Sequence, residues 1–225
     1  MSLKKCNRNV RVLFTAMLLM YSIAVAHAQP FANDIAAFKK QDSITAPPKK
    51  AILFVGSSSF TKWKDVQNYF PGYSIINRGF GGAVLPDVIR YEKDIIFPYQ
   101  PKQIVIYCGE NDVASSDTVS GKIVLERFKK LYTDIRKQLP TVSIVFISLK
   151  PCPSRWKMKD RMMESNRLIK KYLTKQKHTT FISVWKSMLD KDGNPIEDIF
   201  IEDKLHMNAK GYAIWQKLIE PHLLK

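Results

Sequence analysis

Ala51-Ile52-Leu53-Phe54-Val55-Gly56-Ser57-Ser58-Ser59 is the stretch on which the reading of the fold turns. Five apolar residues run without a polar break, stop at a glycine and open into three serines. An apolar run of that length without alternation reads as a strand buried on both faces, and such strands belong to parallel sheets. Four more runs follow it along the chain: Ser74–Ile76, Gln103–Cys108, Ser143–Leu149 and Thr180–Val184. Between them the apolar spacing becomes helical. Leu125, Phe128, Leu131, Tyr132 and Ile135 recur at helical intervals, Met162 through Leu173 form another stretch, and Gly211 through Leu218 closes the chain. Strands alternating with helices predict an α/β fold with a parallel sheet and helices on both faces. Ligands of such sheets bind beyond the carboxyl ends of the strands, so the residues just past each run are where chemistry is expected.

Those residues are distinctive. Gly56-Ser57-Ser58-Ser59 follows the first run, and Asn77-Arg78-Gly79-Phe80-Gly81-Gly82 follows the second. Gly109-Glu110-Asn111-Asp112 follows the third, and Asp203-Lys204-Leu205-His206 lies near the C-terminus. Nucleophilic acyl transfer needs an exposed hydroxyl, an imidazole to take its proton, a carboxylate to orient that imidazole, and donors for an oxyanion. Asp203 and His206 are three residues apart, so a single turn can join carboxylate and imidazole. Each motif alone has a plainer reading. A serine-rich turn caps a helix, a Gly-rich loop makes a turn or cradles phosphate, and Asn111 with Asp112 can cap. Gly81-Gly82 lacks the Lys-Ser/Thr of a P-loop, and neither Cys-x-x-Cys nor His-Glu-x-x-His occurs.

Taken together, in this order, the four motifs resemble those of the SGNH hydrolases, the GDSL esterase/lipase family. The resemblance runs from Ala51 to the C-terminus. It is similar to the exported bacterial branch that looks like platelet-activating-factor acetylhydrolase subunits and lysophospholipase-like esterases. It implies a three-layer α/β/α sandwich on a flavodoxin-like five-stranded parallel sheet, with no cofactor and no metal. It implies Ser58 as nucleophile, His206 as general base and then acid, and Asp203 as its partner. The oxyanion hole would be the backbone N–H groups of Ser58 and Gly82 and the side-chain amide of Asn111. The family's usual Gly-Asp-Ser here reads Gly56-Ser57-Ser58, which leaves Ser57, Ser58 and Ser59 as candidate nucleophiles, with position after the glycine favouring Ser58. Glu110 stands where a smaller or uncharged residue is common, and either shapes the pocket or faces solvent. Arg155 and Trp156, in Pro151-Cys152-Pro153-Ser154-Arg155-Trp156 after the fourth run, either line the substrate pocket or form a turn packed by the tryptophan. Arg78, beside the oxyanion loop, carries a weaker suggestion of the same kind.

The expected activity is an exported serine esterase acting on carboxylic esters, short-chain acyl or acetyl, through an acyl-enzyme. The alternatives are a lysophospholipase- or thioesterase-type lipolytic enzyme and a catalytically degenerate glycan-binding module. The expected partner is a small-molecule, glycan or lipid ester.

Three domain segments are expected: a signal peptide over 1–28, a lead-in over 29–50 and an esterase domain over 51–225. Lys4, Lys5, Arg8 and Arg11 precede an apolar stretch from Val12 to Val25 and a small-x-small site at Ala26-His27-Ala28. About 14 apolar residues fall short of the roughly 20 a membrane span needs, so the segment reads as a cleaved secretory signal. No integral membrane segment is expected after its removal. The protein is expected in the periplasm or outside the cell.

Losing the signal takes four basic residues and no acidic one, lowering the formal charge from +16 to +12. Ten Lys and Arg between Lys150 and Lys177 face only Asp160 and Glu164. Without a nucleic-acid-binding motif this is expected to be a solvated face, and no nucleic acid is expected as partner. Cys108 and Cys152 both follow strand runs and are expected to be free, buried thiols, with a bridge between them the alternative. Oligomeric state is left open by the sequence.

Overall fold

The computed structural model describes residues 29–225, so the expected signal segment lies outside the described residues. Five strands form one sheet: β1 (Ile52–Gly56), β2 (Ile75–Gly79), β3 (Gln103–Tyr107), β4 (Ser143–Ile147) and β5 (Thr179–Ile182). Their order is β2-β1-β3-β4-β5 and every pair is parallel. This is the flavodoxin-like order, whose switch point falls between β1 and β3. The helices are α1 (Ala32–Ile44), α2 (Ser58–Thr61), α3 (Val66–Tyr69), α4 (Leu85–Ile95), α5 (Glu110–Ser115), α6 (Gly121–Gln138), α7 (Lys159–Leu173) and α8 (Ala209–Ile219). The expected three-layer α/β/α architecture is the observed one.

Both faces of the central strands are dry. All five residues of β1 and of β3 are buried, which is why they read as unbroken apolar runs. On one face Ile52, Phe54, Val105, Tyr107, Val145 and Ile147 share a core with Trp63 and with Tyr212 and Trp215 of α8. Trp63 stacks on Tyr212 at 4.6 Å, and Tyr107 meets Trp215 edge-on at 4.8 Å. On the other face Phe146 packs edge-on against Phe128 of α6 at 4.8 Å. Helix starts are locally encoded. The Ser120 hydroxyl accepts the Ile123 N–H ahead of α6, and the Asn208 side chain accepts the Lys210 and Gly211 N–H groups ahead of α8.

The second strand departs most from the sequence expectation. It is Ile75–Gly79 rather than Ser74–Ile76, because Asn77, Arg78 and Gly79 continue the ladder opposite Phe54, Val55 and Gly56. The polar residues hid that pairing. Helix α1 occupies much of the stretch expected as a lead-in, and it serves the sheet. Asp42 of α1 is ion-paired with Arg78, accepts a hydrogen bond from the Tyr99 hydroxyl at 2.6 Å, and that hydroxyl accepts from Arg78 Nε at 2.6 Å. Burial, followed by the Asp42 hydrogen bond, pushes the Tyr99 hydroxyl up to about 12.

Gly56 is where β1 yields to the serine turn. Its φ is +149°, and a Cβ there would lie 1.9 Å from the Tyr107 carbonyl oxygen. Gly56→Ala is expected to cost on the order of 4 kcal/mol in urea unfolding, through backbone strain added to a clash with backbone that cannot retreat. Gly193→Ala, at φ +82° with nothing within 4 Å, separates the strain from the clash and is expected to cost only about 1 kcal/mol.

Candidate active site

The strand-end motifs converge at the carboxyl edge of the sheet. The Ser57 N–H is held by the Tyr107 carbonyl at 3.0 Å, so the turn out of β1 is clamped to the end of β3. Ser57 and Ser59 are buried, and the Ser59 carbonyl accepts the Tyr212 hydroxyl at 2.8 Å. Ser58 is the serine that turns outward. Its Oγ lies 2.8 Å from His206 Nε2. His206 Nδ1 lies 2.5 Å from Asp203 Oδ2, while Asp203 Oδ1 accepts the backbone N–H groups of Leu205 and His206 at 2.9 and 2.8 Å. The three-residue spacing works because the carboxylate folds the loop around itself and presents its second oxygen to the ring. Partial burial pulls the Asp203 carboxyl upward. Hydrogen bonds from the His206 ring and from the two N–H groups outweigh that and hold it at about 2.

Ser58 and His206 open into a hollow of about 300 Å³ walled by Thr61, Lys62, Gly81, Gly82, Asn111, Arg155 and Leu205. The backbone N–H groups of Ser58 and Gly82 have no hydrogen-bond partner among the described residues. Asn111 Nδ2 donates to the Ala83 carbonyl at 3.0 Å, which leaves its second N–H available. The structure thus brings together Ser58, Gly82, Asn111, Asp203 and His206.

Two sequence candidates do not join them. Arg78 is buried beneath α1, where Asp42 and Tyr99 take its guanidinium. It borders a separate groove of about 440 Å³ along the β2 edge. Trp156 turns away from the hollow and stacks on Trp185 at 6.0 Å, with the Lys159 ammonium over its ring. Aromatic packing claims that side chain, while its neighbour Arg155 faces the hollow. Cys108 and Cys152 are free and buried. Burial raises both thiols, Cys152 to about 11 with a further push from Glu110.

The sequence left Glu110 between pocket and solvent, and the structure places it in neither. It is 3% exposed, beneath the hollow. Its carboxylate meets Lys150 Nζ at 2.8 and 3.1 Å, Arg155 Nη1 at 3.2 Å and the Tyr107 hydroxyl. Burial pushes this carboxyl up, but Lys150 and Arg155 overcome it and hold it below the usual range. Lys150, also buried, was counted in the sequence among solvated charges. Its place directly after an apolar strand run was the available sign that it points inward. Asp112 is structural: it accepts the Leu85 N–H at 2.9 Å and Arg127 Nη1 at 2.7 Å.

The sequence profile of the GDSL-like Lipase/Acylhydrolase family matches residues 42–214. The chain belongs to that family. Membership makes it a carboxylic ester hydrolase, and the matched region holds all five residues gathered at the hollow. Similar solved structures include a Streptococcus pneumonia protein described as a platelet activating factor, at 17% identity and TM-score 0.75, covering 93% of this chain and 99% of that one. A GDSL-like lipase from Bacteroides thetaiotaomicron aligns at 20% identity and TM-score 0.69, over 84% of this chain and 96% of that one. An acetylxylan esterase from Geobacillus stearothermophilus aligns at 14% and 0.61, over 77% and 93%. At these identities the three show a shared fold. No curated protein matches the chain. No helix among the described residues is long and apolar enough to cross a membrane.

The buried Glu110–Lys150 pair makes a stability prediction with a defined pH dependence. Glu110→Gln leaves the Lys150 ammonium buried without a counter-charge and is expected to cost about 3–5 kcal/mol at pH 7. The folded-state carboxyl is depressed, so its stabilisation is full above the unfolded glutamate value of roughly 4.3. It is lost as pH falls through the lower folded value. The gap between wild type and Glu110→Gln in urea melts is therefore expected to be constant from pH 7 to 5 and to shrink under more acid conditions.

Proposed function

We propose that this member of the family is an exported serine esterase that releases short acyl groups, acetyl foremost, from carboxylic esters through an acyl-enzyme. The observation that carries the reading is the continuous line from Ser58 Oγ through the His206 ring to Asp203, at 2.8 and 2.5 Å, opening on a hollow that also holds Gly82 and Asn111.

In the proposed reaction Ser58 Oγ adds to the ester carbonyl carbon as its proton passes to His206 Nε2. Asp203, ionised at any pH well above 2, keeps Nδ1 protonated and stabilises the imidazolium. The carbonyl oxygen becomes an oxyanion among the Ser58 and Gly82 N–H groups and the free Asn111 N–H, donors that need no rearrangement as charge develops. Collapse breaks the bond to the leaving oxygen, which takes the proton from His206. The acyl group stays on Ser58 Oγ. Water, deprotonated by His206, then adds to the acyl carbon, and the second collapse frees the acid and restores the Ser58 hydroxyl.

Two observations support a short acyl group. The hollow at Ser58 is small, about 300 Å³. The structurally similar acetylxylan esterase is a deacetylating enzyme by name. Export rests on the N-terminal sequence alone: the basic start, the short apolar stretch and Ala26-His27-Ala28.

Hydrolysis of p-nitrophenyl esters from acetate to decanoate by the protein lacking residues 1–28 tests the reading. Acetate is expected to be the best substrate, with kcat/KM falling along the series. Ser58→Ala is expected to remove at least about 10³-fold of activity, as loss of a serine nucleophile does, with Ser57→Ala and Ser59→Ala active wherever they fold. Preference for the longest esters would favour a lipolytic enzyme. A folded but inert wild type would favour a binding module.

A further inference from the structure

Arg155 touches both the hollow and the buried carboxylate beneath it, and one of its contacts is to the side chain proposed as an oxyanion donor. Its Nη2 donates to Asn111 Oδ1 at 2.9 Å, and its Nη1 to Glu110 Oε1 at 3.2 Å. A guanidinium can only donate, and the Ala83 carbonyl that takes Asn111 Nδ2 can only accept. The amide is therefore held in one orientation from both ends: oxygen toward Arg155, nitrogen toward Ala83, with one N–H left over. A flipped amide would set a carbonyl oxygen against the Ala83 carbonyl and an NH₂ group against a cation.

We propose that Arg155, anchored on the buried Glu110–Lys150 pair, is a positioning residue that aims the Asn111 amide at the developing oxyanion and polarises it. The inference rests on the preceding reading of Asn111. A charge-assisted hydrogen bond to the amide oxygen draws electron density from the nitrogen and strengthens its remaining N–H as a donor. The arginine is itself fixed, because Glu110 is fully paired and buried and its position is set by Lys150 at 2.8 Å. Two cations on one carboxylate leave the cluster with an excess positive charge beside the place where the oxyanion forms. The same geometry gives Glu110 a purpose. Placed next to Asn111 in the chain, it reaches back to hold the arginine that holds Asn111.

A double-mutant cycle on p-nitrophenyl acetate tests the proposal. Arg155→Ala is expected to lower kcat on the order of 10- to 100-fold, with KM changed less than about threefold, since the contact matters most when the oxyanion forms. Asn111→Ala is expected to cost on the order of 100-fold. In the Asn111→Ala background, Arg155→Ala is expected to add less than about threefold, because the group it acts through is gone. Arg155→Lys, which keeps a charge for Glu110 but has no second arm, is expected to behave like Arg155→Ala in both backgrounds and carries the test should the alanine variant not fold. Equal losses in both backgrounds would show arginine acting on substrate or fold directly, and would overturn the proposal. So would unchanged kcat in Arg155→Ala, or an Asn111→Ala variant as fast as wild type. Ser58→Ala separates this failure from that of the esterase reading: an inert Ser58→Ala beside a fully active Arg155→Ala overturns the positioning role alone.

Discussion

The site depends first on how closely the ends of β1 and β3 approach one another. At Gly56 the backbone passes so near the Tyr107 carbonyl that no side chain fits, and that carbonyl then takes the Ser57 N–H. The serine turn and the Gly109–Asn111 turn are consequently neighbours before any side chain is considered. Ser58 and Asn111 face one hollow because two parallel strands end side by side at the switch point of the sheet. Side chains refine this arrangement. Asp203 shapes its own loop and delivers His206 from the far end of the chain, 148 positions beyond Ser58.

Beneath that arrangement lies a second, costlier one. A carboxylate, an ammonium and a guanidinium share the space between β3, β4 and the turn after β4, with Tyr107 and Cys152 against them. Such a cluster is weak as a source of stability, because desolvation consumes most of what attraction returns. Its use is geometric. Few alternative packings satisfy two buried charges and a half-buried third together, so the loop bearing Arg155 is fixed where an apolar filling would let it slide. Rigidity at the oxyanion side is obtained from polar groups, and at the opposite side from aromatic packing of Trp63, Tyr212 and Trp215.

Most of the fold was legible because β1, β3 and β4 are buried on both faces and carry that fact as unbroken apolar runs. β2 was read short, since an edge strand keeps polar residues and Asn77 and Arg78 look like loop until their partners in β1 are known. The motif residues could be named from their order along the chain, which is a local property. What local order could not supply was the pairing of groups 36 to 44 positions apart: Asp42 with Arg78, Lys150 with Glu110, Arg155 with Asn111. Each pair contains a charged residue that composition assigns to the surface. Only the tertiary arrangement shows it buried or half-buried against a partner. Local order likewise left Trp156 between lining the pocket and packing a turn, because its stacking partner Trp185 lies on a separate loop.

The pairing of Asp42 with Arg78 bears on where this protein begins as a workable piece of polypeptide. The motifs start at Gly56 and the first strand at Ile52, so a shortened gene opening at Ala51 would look complete by inspection. It would delete the counter-ion of a guanidinium buried in β2, three residues before the Gly81-Gly82 turn, and the acceptor of the Tyr99 hydroxyl with it. The family match starts at residue 42, on the aspartate itself, and stops at 214, one residue short of the fully buried Trp215. Boundaries drawn for expression, fusion or crystallisation therefore have to enclose all of α1 and all of α8.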